Sequence, residues 1–168
     1  MMWHANHQTD EGSMCHPSDA EELRYFDRTY HDFKVEPRNV RLCLCTDGFA
    51  PHGQYGRMYS CWPVILTPYN LLLEMCMSSE YMFLRMVIPA PSNPKRLIDV
   101  YLEPLTEELQ NLWHVGVLTH DSAKKETFTM HAALMWTVND LRAYGIEYCW
   151  CYGVSSLYGR HTCILSAE

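Results

Sequence analysis

Two aspartates stand where α/β proteins place reactive acids. Val40 to Cys45 (Val-Arg-Leu-Cys-Leu-Cys) is a short apolar run that stops at Thr46-Asp47-Gly48. That is the pattern of a buried strand delivering a carboxylate to its C-terminal end. Phe128 to Val138 is a second apolar run, and it stops at Asn139-Asp140, 93 residues beyond Asp47. Carboxylates brought together in this way could share a divalent metal ion. A third acid, Asp99, precedes a helix and suits a cap better than a catalytic role. Each assignment has a plain counterpart. Asp before Gly is a common turn pair, and Asn139-Asp140 equally well turns or caps the chain. His52 and His131 lie near these acids and read as surface or packing histidines. Trp62, Trp113 and Trp136 read as core.

The elements that must carry these acids follow from pattern. Tyr59 to Thr67 reads as a second strand, in which Pro63 needs an edge or a bulge. A turn over 50–57, with Pro51, Gly53 and Gly56, precedes it. Tyr81 to Ile88 reads as a third strand, stopped by Pro89-Ala90-Pro91. Ile98, Leu102, Leu105, Leu109 and Leu112 share one helical face. With Pro104 placed in the first turn, that helix runs over 102–114. Residues 116–126 read as a polar connection, and 128–138 as a strand or a helix. Residues 1–37 read as a polar, poorly packed arm, with a short helix opening near Asp19, Glu21 and Glu22. The order is strand, strand, strand, helix, strand. It is the order of the first half of a ribonuclease H-like α/β fold, in which the first and fourth strands are neighbours. That neighbourhood would bring Asp47 and Asp140 together.

Composition narrows the class. The 168 residues are 48% hydrophobic and 20% charged, which is globular composition. No apolar run approaches the ~20 residues that cross a membrane, and Met1 to Glu11 lacks the apolar stretch of a secretory signal. Lys and Arg total 13 against 20 acids, a net charge of −7. That balance argues against a module that holds DNA by charge alone. Eight cysteines without a signal peptide read as reduced thiols. Cys43, Cys45, Cys61 and Cys76 sit in apolar runs as small hydrophobes.

Longer stretches of text are more specific. Arg38-Asn39-Val40-Arg41-Leu42, Thr46-Asp47-Gly48-Phe49-Ala50-Pro51, Tyr59-Ser60-Cys61-Trp62-Pro63-Val64-Ile65 and Pro68-Tyr69-Asn70-Leu71 resemble the catalytic region of plant CACTA-type (En/Spm) DNA transposon transposases. So do Ile98-Asp99-Val100-Tyr101-Leu102-Glu103-Pro104-Leu105 and the run from Ala132 to Asp140. Trp3-His4 through His16-Pro17-Ser18-Asp19 is similar to the segment preceding that core, and the resemblance spans residues 1–145. It implies metal-dependent cutting and joining of DNA at transposon ends, in the nucleus. Two aspartates and a later glutamate would hold two divalent ions, usually Mg²⁺. On this resemblance Asp47 is the first acid and Asp140 the second, with Asp99 the alternative. The partners implied are transposon-end DNA and a transposase or host protein, with no membrane and no small-molecule substrate.

The chain also departs from that family. Past Gly145 it reads Ile146-Glu147-Tyr148-Cys149-Trp150-Cys151-Tyr152, where the family carries a Cys-Pro-x-Cys pair. Codons for Glu147 to Cys163 can be chosen so that reading one base later yields a Cys-Pro-Val-Cys text. The expectation is three segments: an arm over 1–37, a partial core over 38–145 and an out-of-frame tail over 146–168. Cys149, Cys151, His161 and Cys163 are spaced too tightly for an ordinary zinc site. Cys43 stands at an expected glycine, and Leu72-Leu73 at an expected Pro-Pro. The later glutamate has no counterpart, since Glu107, Glu108, Glu147 and Glu168 fall at the wrong places. The chain is therefore expected to be inactive by itself. It would be a remnant, or a domesticated fragment docking through the helix face at 98–112.

Overall fold

A computed structural model describes residues 2–6, 15–51, 60–76, 78–90 and 98–139. Its centre is a four-stranded mixed sheet in the order β3-β2-β1-β6. The strands are β1 (Val40–Thr46), β2 (Ser60–Pro68), β3 (Phe83–Ala90) and β6 (Ala132–Asn139). β1 runs antiparallel to β2, β2 antiparallel to β3, and β1 parallel to β6. The fold is thus mixed α/β, and the first strand lies beside the last as its sequence order implies.

β1 is buried on both faces, which explains its near-continuous apolar text. Val40, Leu42 and Leu44 face one side, where they pack with Trp62, Val64, Ile88 and Leu134. Helix α5 (Ile98–His114) covers that side. Its Ile98, Leu102, Leu105 and Leu109 are each 3% exposed or less. Burial of such side chains contributes about 1.5–3 kcal/mol apiece. The face expected to dock a partner is therefore spent on the sheet. α5 also starts four residues before the expected 102. Pro104 sits inside it, exposed, where the ring withholds one helical N–H without entering the core. Gly116, at φ 71°, ends α5: its N–H and that of Val115 both reach the Asn111 carbonyl.

The opposite face is covered by residues expected to be poorly packed. Short helix α1 (Trp3–Asn6), α2 (Glu21–Thr29) and α3 (His31–Val35) lie in that stretch. Leu23, Phe26 and Phe33 are buried against Ala133 and Met135, with Tyr30 and Trp113 alongside. The Phe33 and Trp113 rings stack at 5.3 Å. Leu23, Phe26, Tyr30 and Phe33 recur at helical spacing, a stripe obscured by the polar residues between them. The described part of this segment is thus a layer of the core, and the expectation of a loose arm is corrected.

The connection at 116–126 is corrected too. It carries a hairpin, β4 (Val117–Asp121) with β5 (Glu126–Met130), while α4 (Leu73–Cys76) is one turn after β2. The hairpin turn closes on Asp121, whose Oδ1 accepts from Ala123 and Lys124 N–H at 3.0 and 3.2 Å. The run expected over 128–138 is split between β5 and β6.

Candidate functional site

The residues around β1 are held by a buried polar lattice. Asn70 Oδ1 accepts from the Arg41 N–H at 2.7 Å, and Asn70 Nδ2 donates to the Asn39 carbonyl at 2.7 Å. Asn39 Nδ2 donates to the Phe33 carbonyl, and Asn39 Oδ1 accepts from the His131 N–H. Arg41, 2% exposed, donates to Asp27 Oδ1 at 2.7 Å and to His4 Nε2 at 2.8 Å. Burial, then the Arg41 charge, push the His4 pKa down to about 4, so the ring is neutral at pH 7. Arg38 binds Glu36, Asp121 and Glu126 and lies 3.8 Å over the Phe128 ring. Arg38, Asn39 and Arg41, with Asn70, therefore anchor the strand.

The other end of β1 is open. Asp47 follows the strand directly and is exposed. β1 and β6 pair from Val40↔Ala132 to Thr46↔Asn139. Between Leu42 and Cys43 the register shifts: Leu42 faces Leu134, but Cys43 faces Trp136. Met135 is the extra residue of this β-bulge, a device uncommon in parallel pairs. Without the shift Thr46 would face Val138. With it, the paired strands end level at Thr46 and Asn139, the residues before Asp47 and Asp140. Asp140 itself, with His52 and the segment over 146–168, lies outside the described residues. Asp99 lies in the first turn of α5, inside the helix rather than ahead of it. His131 precedes β6 at the end far from Asp47, so its nearness to the acids in sequence is not nearness in the fold.

Sequence reasoning missed how β2 treats Asp47. Thr46 pairs with Val64, and Phe49 exchanges both backbone hydrogen bonds with Cys61 at 3.0 and 2.8 Å. The register is the same on both sides, so Asp47 lies opposite Pro63. Hydrogen-bonded pairs alternate along an antiparallel ladder, and that pair would be one, but Pro63 has no N–H to give. The proline expected at an edge or bulge thus sits in an inner strand, at a break in the β1 ladder. Its bulge lies on the β3 side, between Val64 and Ile65. Beside the break, a Cβ on Gly48 would come within 2.6 Å of Trp62 Cζ2. Trp62 Nε1 and Thr46 Oγ1 are buried there without hydrogen bonds.

One hard donor, the exposed Asp47 carboxylate, stands at this end of β1. Mg²⁺ is commonly held by one or two carboxylates, with water and phosphate completing its shell, and the exposed Asp47 fits that need. Among the described residues no three His, Cys, Asp or Glu side chains converge as a ready cage. Cys45, half-buried two residues earlier, is a soft ligand and fits poorly. Its thiol is drawn down to about 7 by a hydrogen bond from Cys43, whose own pKa rises in consequence and through burial.

The four-stranded mixed sheet with its covering helices defines a mixed α/β class of domain. Within it, the chain belongs to the transposase family tnp2, whose family model matches residues 11–166. No curated protein and no solved structure shows significant similarity to it. The family match continues across 146–166, the stretch set aside on sequence grounds as out of frame. No helix among the described residues is long and apolar enough to cross a membrane.

Proposed function

We propose that this chain supplies the first acids of a CACTA-type transposase core with a ribonuclease H-like sheet, acting on DNA at transposon ends in the nucleus. Asp47 and Asp140 would hold a divalent ion, usually Mg²⁺. One observation carries the reading: the parallel β1–β6 ladder ends at Thr46↔Asn139, one residue short of each acid. When bound, the ion supplies charge stabilisation at the phosphate and a more acidic water. Asp47 would offer its carboxylate oxygens from the end of β1, and Asp140 would follow the paired end of β6.

Two aspartates give fewer oxygens than an in-line displacement with two ions requires. The chain alone is therefore expected to bind the ion without cutting. The test is calorimetric titration with Mn²⁺ of the intact chain, Asp47→Asn and Asp140→Asn. Each substitution should weaken binding about tenfold or more. Unchanged affinity in both would end the metal assignment. Nicking of supercoiled DNA that vanishes in Asp47→Ala would instead overturn the inactivity. The out-of-frame reading of 146–168 is decided by genomic sequence across codons 144–150. It falls if no single-base shift restores a Cys-Pro-x-Cys text.

A further inference from the structure

We infer that Trp62-Pro63 of β2 is a positioning device for Asp47: Pro63 withholds the ladder hydrogen bond that would tie the Asp47 carbonyl into the sheet, and Trp62 holds Gly48 against β2 while that bond is missing. The inference rests on the reading of Asp47 as a metal ligand and goes beyond it.

Three observations meet at this point. The β1–β2 register is unbroken across the gap, since Thr46 faces Val64 and Phe49 faces Cys61. The strands therefore do not diverge for want of matching length. Both backbone bonds of the Phe49–Cys61 pair form, so the ladder resumes at full strength two residues beyond Asp47. Only the bond that would need a Pro63 N–H is chemically impossible. Gly48 lies so close to the Trp62 indole that no Cβ fits between them, so the open segment is packed on that ring.

A peptide released from the ladder but pinned on both sides can turn its carbonyl and side chain towards an ion. It does so without breaking a sheet hydrogen bond, which would otherwise have to be broken at each binding event. The two orphan polar atoms beside the gap, Thr46 Oγ1 and Trp62 Nε1, are the kind of unmet demand a sheet built for stability alone would avoid.

The experiment restores the missing donor. In Pro63→Ala, and separately in Pro63→Val, the new N–H at residue 63 should bond the Asp47 carbonyl. Amide exchange should show it as a protected site. The thermal midpoint should stay within a few degrees of the parent chain. Mn²⁺ affinity, by calorimetry on the whole chain, should fall about tenfold. That combination, a more complete sheet with weaker ion binding, is not produced by loss of structure. A protected amide at residue 63 with Mn²⁺ affinity within twofold of the parent overturns the inference. So does an unprotected amide at residue 63 in both variants. Asp47→Asn serves as the control. If it leaves Mn²⁺ binding unchanged, the metal reading fails and takes this inference with it. If it abolishes binding while Pro63→Ala does not, only the positioning role fails.

Discussion

At the scale of single residues, the side chains that matter most for β1 are polar and buried. Asn70 is wholly inaccessible and satisfies two backbone groups, one in β1 and one in the residue before it. Asn70→Ala strands both in an apolar setting. It should cost roughly 2–4 kcal/mol, read from urea unfolding midpoints. Asn70→Asp is expected to be no rescue, because it keeps the acceptor and loses the donor. Gly48 gives a second prediction. Although Gly48 is exposed, Gly48→Ala drives a methyl into the Trp62 ring and should lower stability by about 1–3 kcal/mol. A change in the near-ultraviolet circular dichroism of the indole should accompany it. Neither role was legible in the sequence. A Pro-Tyr-Asn text announces a turn, but not that the amide reaches back 29 residues to Arg41. The place of Asp47 at the end of β1 was legible, because an apolar run ending in an acid needs no distant partner to be read. Pro63 was legible only as an anomaly. What it faces depends on strand register, which a local pattern does not fix.

At the scale of elements, the sequence spoke clearly where periodicity was undiluted. β1, β2 and β3 match their apolar runs within two residues, and α5 follows its leucine spacing. The hairpin of β4 and β5 was missed because its strands are short and largely exposed: β4 shows no apolar alternation, and that of Phe128 and Met130 in β5 merges into the apolar run that follows. Its stability comes instead from Arg38, which reaches across to Asp121 and Glu126 at 2.9 and 2.7 Å. Arg38 also keeps the Glu36 and Asp121 carboxyls below their usual range, chiefly through its hydrogen bonds to them. Arg38→Met should therefore loosen the hairpin before the sheet. Amide exchange in 117–130 should accelerate about tenfold or more while β1 and β2 change little. Equal acceleration in both would show that the hairpin is not a separate unit. Helices α2 and α3 were missed for a different reason: their apolar stripe has only four members in eleven residues, and it becomes a core only once the sheet provides Ala133 and Met135 beneath it.

At the scale of the whole molecule, a central strand covered on both faces couples the first residues of the chain to the sheet. His4 touches Arg41, and its pKa lies at about 4 against an ordinary 6.5. The folded chain keeps this ring neutral where the unfolded chain takes up a proton. Stability should therefore decline as pH falls below about 6.5, with the decline levelling off below about 4. The loss should reach on the order of 2 kcal/mol by pH 4.5. Denaturant midpoints at pH 7.5 and 5 check this, and His4→Gln should flatten the slope. The same two-sided cover bears on how the protein can be handled. A shortened version beginning at Arg38, the first residue of the most recognisable text, would lose Leu23, Phe26 and Phe33. It would leave Ala133, Met135 and Trp113 facing solvent and would bereave Arg41 of its counter-ion. Such a version should precipitate when expressed, whereas one retaining the preceding residues should stay in solution.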